Sequence, residues 1–169
     1  AALAANLSVS EAALYRHFAS KAQMFEGLID FIEQSVFSLV QQVMGRDGEV
    51  LEFTPEDGAR RAARIVALVL QFAERNPGMV RVLVGDALLL EHERLQVRMN
   101  QFFERIESTL RQCLRPAAGA LGSATPTVEA QVAASVLMSF VQGRLLRFVR
   151  TGFRRQPTEH LDASLAMLI

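Results

Sequence analysis

The chain has no tryptophan, and among its 169 residues it has one tyrosine, one cysteine and three histidines. A single thiol cannot close an internal disulfide. Cys113, at helical spacing from Leu110 and Leu114, reads as a small buried hydrophobe rather than a nucleophile, and a reducing cytoplasm is the simplest compartment. His17, His92 and His160 lie far apart, with no His-x-x-x-His spacing. Glu91-His92-Glu93 puts neighbours on different helix faces, which makes a poor metal site. There is no Gly-x-Ser-x-Gly turn, no Cys/His pair in a suggestive context, and no Gly-rich loop after a strand pattern. The chain is therefore expected not to be an enzyme and to need no cofactor and no metal. No signal peptide is visible, and apolar runs such as Ile65 to Leu70 are far too short to cross a membrane, so no membrane partner is expected. Acidic and basic residues balance at eighteen each. Zero net charge argues against diffuse coating of nucleic acid but leaves room for a small specific reader. Lys21 is the one lysine, and the other basic residues are arginine.

Half of the residues are hydrophobic, and they recur at helical spacing throughout. Residues 21–44 read as one long helix with Met24, Leu28, Phe31, Ile32, Leu39 and Val43 inward, stopped by Gly45, Asp47 and Gly48. The stretch 46–58 reads as an acidic, turn-rich loop. A helix over 59–76 turns Ile65, Leu68, Val69 and Phe72 to the core and ends at Arg75-Asn76-Pro77-Gly78, a cation, a polar stop, a proline and a glycine. A short helix over 77–84 ends at Gly85. A long helix over 87–115, with a break near His92, carries Leu95, Met99, Phe102, Phe103, Ile106 and Leu110 on one side and charges on the other. The segment 116–126, PAAGALGSATP, reads as a connection. Helices over 127–153 and 157–169 close the chain. The first is strongly apolar, through Val132, Val136, Phe140, Leu145, Phe148 and Val149; the second shows Leu161, Leu165 and Leu168 on one face. The pair is too apolar for the edge of a monomer, and a second subunit in a four-helix isologous interface is its simplest cover. Gly143 suits either close approach of two chains or simple helix filler. Arg144, Arg147, Arg150, Arg154 and Arg155 form a basic strip expected to frame the dimer edge. No strand pattern appears, so the fold class is all-α.

The N-terminal stretch ALAANLSVSEAALYRHFASK reads as two short helices around a tight turn. Asn6, Ser8 and Ser10 break the first helix, because their side chains compete for nearby backbone groups. Ser10 or Ser8 caps the second, and Ser8 with Glu11 has capping-box spacing. Leu14 and Phe18 point inward. Ser10, Glu11 and Ala12 lie at the exposed N-terminal end, where a recognition helix meets base edges. Tyr15, Arg16 and His17 lie outward, able to donate to phosphates. Ser20-Lys21-Ala22-Gln23 opens the next helix with its N-terminus, which attracts phosphate, near the same surface, and Lys21 adds a full charge there. An ordinary solvated helical hairpin has the same pattern.

The stretch SVSEAALYRHFASKAQMFEGLIDFIE resembles the N-terminal signature of the TetR family of DNA-binding regulators: a small turn residue, Val-Ser, then Leu-Tyr-x-His-Phe, a Ser-Lys pair and an apolar helix. The similarity continues through FAERNPGMVRVLVGDALLLEHERLQVRMNQFFERIESTLRQCLR and GRLLRFVRTGFRRQPTEHLDA, and it is strongest to the family's nucleoid-occlusion members. Ser8 departs from it, standing where the family usually has Gly. The resemblance implies a TetR-like fold, with an N-terminal helix-turn-helix and a C-terminal helical dimerisation body. It assigns residues 1–21 to a partial helix-turn-helix whose first helix precedes Ala1, residues 21–44 to a linking helix, and residues 45–169 to the body. It also implies a homodimer through 127–153 and 157–169 on palindromic double-stranded DNA, in the cytoplasm and associated with the nucleoid. DNA contacts are expected from Ser10, Glu11, Ala12, Tyr15, Arg16, His17 and Lys21. A second partner is implied, the tubulin-like division protein FtsZ, whose C-terminal tail would lie between the linking helix and the next. The matching positions are Phe31, Leu68, Arg75 and Asn76, with Gln71 standing where similar proteins have Gly. Sequence pattern alone also fits Phe31 and Leu68 as core residues. The alternative within the family is a repressor released by an apolar ligand bound among Leu68, Phe72, Phe102, Ile106 and Val136. A helical dimer with no DNA role is the alternative outside it.

Overall fold

The computed structural model describes residues 20–45, 54–89 and 91–169. Helix α1 (Lys21–Met44) starts where Ser20 Oγ accepts a hydrogen bond from the Gln23 backbone N–H at 3.2 Å, satisfying one of the donors a helix start leaves over. It stops at Gly45, whose φ of 104° suits a residue without a side chain. Its buried stripe is Met24, Leu28, Ile32, Val36, Val40 and Val43, with Phe25 and Ile29 beside it. Two residues expected inward are not: Phe31 is 47% exposed and Leu39 39%.

Helix α2 (Pro55–Arg75) begins four residues earlier than expected. Residues 55–58, the end of the segment read as loop, are in fact its first turn. Thr54 Oγ1 accepts from the Asp57 N–H at 3.1 Å, Pro55 supplies a preset φ, and Glu56 and Asp57 face the positive end of the helix dipole. Asn76 ends it, with its backbone N–H and its side-chain Nδ2 both donating to the Phe72 carbonyl. Arg61 ties α2 to α1. It pairs with Asp57 at 2.9 Å and donates to the Val43 and Met44 carbonyls at 2.7 and 2.8 Å, covering the open carbonyl end of α1.

Helix α3 (Pro77–Leu83) runs into Gly85, at φ 85°, and a 3-10 turn over Asp86–Leu88. The break near His92 is real: its Nδ1 accepts from the Arg94 N–H at 3.2 Å and starts α4 (Glu93–Ala120). This helix continues through Pro116 for one more turn than expected. A proline there forfeits one intrahelical hydrogen bond near a terminus that already leaves carbonyls over. The connection before α5 (Pro126–Arg150) thereby shrinks to five residues, 121–125. Helix α5 ends before Phe153, which with Gly152 takes positive φ and packs edge-on to Phe148 at 5.1 Å. The last helix, α6, covers only Leu161–Leu168. Residues 157–160 are turns, and His160 sits at φ 53°.

Helix α4 is the central element, packed along α5 on one side and α2 on the other. Leu95, Met99, Phe102, Ile106 and Leu110 are all but fully buried there. Cys113 lies in this core with its thiol 3.4 Å from Met44 Sδ, and burial pushes its pKa up to about 11, which keeps it protonated and inert. By length and composition α5 could cross a membrane, which the short apolar runs had not suggested. In the fold its Ala130, Ala134, Leu137, Val141, Leu145 and Phe148 side is core.

Candidate nucleic-acid and partner interface

Lys21 stands in the first turn of α1, one residue after the cap. Ser10, Glu11, Ala12, Tyr15, Arg16 and His17 lie outside the described residues. Lys21 was expected to face phosphate, and its ammonium also meets Glu91 of the segment before α4 at 2.9 Å. The lysine side chain is 58% exposed and the glutamate only 13%. This pair heads a ladder. Arg94 pairs with Glu26, and Arg98 reaches Asp30 at 2.7 Å and Glu33 at 3.0 Å. Burial by itself lowers the Arg98 pKa, but hydrogen bonds to Asp30 and Glu33 and their charges outweigh it and raise the value. The first half of α1 is thus fastened to the first turns of α4 by charge, beside the apolar contacts beneath. Sequence reasoning missed this ladder, because its partners stand 65 to 68 residues apart at Arg98.

The expected partner groove is partly assembled. Leu68, Gln71, Phe72 and Arg75 share one face of α2 by their spacing. The Phe31 ring lies 6.3 Å from the Phe72 ring at a 39° tilt. Phe72 is buried and Leu68 half-buried, while Gln71 and Arg75 are exposed. Phe31 and Leu68 therefore offer apolar surface between α1 and α2, with a guanidinium at one end. Asn76 serves the fold through its bond to Phe72. At 47% exposed, Phe31 is not a core residue of the single chain.

Helix α5 has a second apolar face. Val128, Val132, Val136 and Leu146 are 56, 60, 47 and 38% exposed, on the side away from the core. Val136, also expected among the residues lining a ligand pocket, faces outward with Val132. Gly143 is on this outer side, and a Cβ added there would meet nothing within 4 Å, so packing within one chain does not require the glycine. Met167 and Ile169 extend exposed apolar surface onto the C-terminal end.

Three arginines of the basic strip make contacts within the chain. Arg144 donates to the Pro157 and Glu159 carbonyls and, at 3.2 Å, to Ser164 Oγ, with Phe140 beneath it at 4.7 Å. Burial, then the Arg147 charge, lowers its pKa. Arg155 and Arg147 approach the Glu159 carboxylate at 3.2 and 3.6 Å. The hydrogen bond from Arg155 holds the Glu159 carboxyl below the usual range. Glu74 of α2 accepts from the Thr158 N–H at 2.9 Å and from its hydroxyl. Three arginines and two glutamates thus lock the turn that sets α6 against α5.

The ligand pocket expected under the repressor alternative is not formed as described. Phe72, Phe102 and Ile106 are packed core, and Val136 faces outward. Two clefts of about 230 and 200 Å³ lie instead between α4 and α5, sharing Asn100, Phe103 and Gln142.

The N-terminal residues 1–28 match the bacterial regulatory proteins of the tetR family. Residues 56–169 match the SlmA-like tetracyclin repressor-like C-terminal domain. This chain belongs to the SlmA branch of the TetR family. Nucleoid occlusion factor SlmA of Vibrio atlanticus is 48% identical over 98% of this chain and 80% of its own length. The SlmA proteins of Idiomarina loihiensis and Photobacterium profundum are 47 and 48% identical, each over 96% of this chain and 79 and 78% of theirs. Among the described residues the SlmA-type body is all-helical, and its regulator family is one of DNA-binding proteins.

Proposed function

We propose that this chain is a DNA-binding homodimer that acts as a nucleoid-occlusion factor, capturing the C-terminal tail of FtsZ and blocking assembly of the division ring over the chromosome. One observation carries the proposal: relatives named nucleoid occlusion factor SlmA are nearly half identical to it across almost its whole length.

The described residues bear on the body and the groove, and the reading unit follows from the family. Residues 1–21 are the reading unit, with Ser10, Glu11, Ala12 and Arg16 near base edges and Tyr15, His17 and Lys21 on phosphates. Helix α1 is strapped to α4 by three arginine–carboxylate pairs and to the segment before it by one from Lys21, so α1 is held firmly to the body. Pairing through the outer faces of α5 and α6 fixes two readers roughly 34–36 Å apart, one turn of duplex, on a palindromic site. The groove at Phe31 and Leu68 receives the apolar face of the tail, and Arg75 attracts its carboxylates. Gln71, exposed beside them, narrows the groove relative to a glycine. The place of action is the cytoplasm, on the nucleoid. The repressor alternative is disfavoured by the filling of its pocket with Phe72, Phe102 and Ile106.

A selection of bound duplexes from a random pool tests the DNA half. The proposal expects enrichment of a two-fold symmetric site. A pool that stays random, or enrichment of asymmetric sequence only, would contradict it.

A further inference from the structure

One contact of Lys21 is not used by the DNA-binding role. Lys21 carries the one lysine ammonium of the chain, set at a helix N-terminus, and Glu91 holds it at 2.9 Å. Glu91 belongs to a different part of the fold, 70 positions along the chain. Its carboxylate is mostly withdrawn from solvent while the lysine remains more than half exposed. The lysine is thus reachable from outside and the glutamate is not. The neighbouring rungs differ, since Arg94 and Arg98 satisfy Glu26, Asp30 and Glu33 without touching Lys21, and they hold α1 on α4 whether or not the first rung is made. The first rung can therefore open without releasing the helix.

We propose that Glu91 is a resident competitor for DNA phosphate at Lys21, and that it sets how tightly the protein holds its site. The proposal rests on the DNA-binding reading. A phosphate oxygen and a carboxylate oxygen ask the same thing of an ammonium, a charge-assisted hydrogen bond at close range. In the free protein Glu91 supplies it. On the duplex a phosphate takes its place, and Glu91 is left as a partly buried charge without its partner, a cost that offsets part of the gain. The contact therefore tempers DNA affinity without affecting which sequence is read, because phosphate contacts position and base contacts specify.

The test is a double-mutant cycle between Glu91→Gln and Lys21→Ala, read as equilibrium binding to a palindromic duplex enriched from a random pool, across a range of salt. Glu91→Gln keeps the shape of the side chain and removes its charge. With Lys21 present, affinity should rise about two- to fivefold for each half-site, the range of a partly exposed ion pair. With Lys21→Ala already in place the second change should add nothing. Sequence preference should stay the same throughout. No gain in the Lys21 background, with an unchanged melting temperature, overturns the proposal. So does an equal gain in both backgrounds, which would make Glu91 a source of general repulsion only. If the unaltered protein bound no duplex, the DNA-binding reading would fall and this proposal with it.

Discussion

Placing a charge at Val132 on the outer face of α5 is the sharpest structural perturbation available. Val132 is 60% exposed in the single chain. Full burial of such a side chain contributes about 1.5–3 kcal/mol, so covering that fraction contributes about 1–2 kcal/mol per protomer. Two-fold symmetry counts it twice, giving about 2–4 kcal/mol for the dimer. Val132→Asp removes this term and strands two carboxylates in an apolar seam, each costing several kcal/mol more unless it takes up a proton or finds water. The total is about 4 kcal/mol or above, so the dissociation constant should rise about a thousandfold. Sedimentation velocity over nanomolar to micromolar concentration reads this directly, with circular dichroism to verify that the monomer keeps its helices. Gly143→Leu is the companion probe. Alone in one chain it has open space and improves helix propensity by up to about 1 kcal/mol, yet it wedges the pair apart. A Val132→Asp protein that sediments as the unaltered one does at every concentration would refute the seam.

Two other expectations follow from the same structure. Arg75→Ala should abolish co-sedimentation with FtsZ and leave binding to the selected duplex intact; loss of both together would point to misfolding and leave the assignment of Arg75 without support. Glu159 is held below its ordinary value of 4.5, first by the Arg155 hydrogen bond, so its contribution to stability is present above that value and is lost as pH falls through the lower folded one. The melting temperature of the Glu159→Gln variant should therefore lie below that of the parent at neutral pH and converge with it as pH falls through the lowered folded value. A constant gap between the two curves down to pH 2 would contradict the role given to Glu159.

Much of the fold was readable from local chemistry, and what escaped was non-local. Ser20 and Gly45 bracket α1, and its span is the expected one, because cap and stop are encoded within a few residues of each end. The same holds for the Asn76-Pro77 boundary and for the break at His92. Pro55 misled because a proline with two acidic residues describes an acidic turn as well as a helix start. Pro116 misled because its cost falls near a terminus, where a lost bond matters least. Periodicity placed Val132 and Val136 on α5 but could not tell a face turned to the core from one left exposed on the single chain, since both are apolar. Phe31 fitted a core position by its spacing, and only the structure shows it exposed. The Lys21–Glu91 rung and the Glu74–Thr158 tie join residues 70 and 84 positions apart, beyond anything spacing encodes.

The most direct measurement is the mass of FtsZ polymer sedimented with this protein, with and without the palindromic duplex it selects. The account predicts that polymer is lost when protein and selected duplex are present together, and that a scrambled duplex has far less effect. Polymer unchanged under every combination, with the protein folded and bound to its duplex, would contradict it.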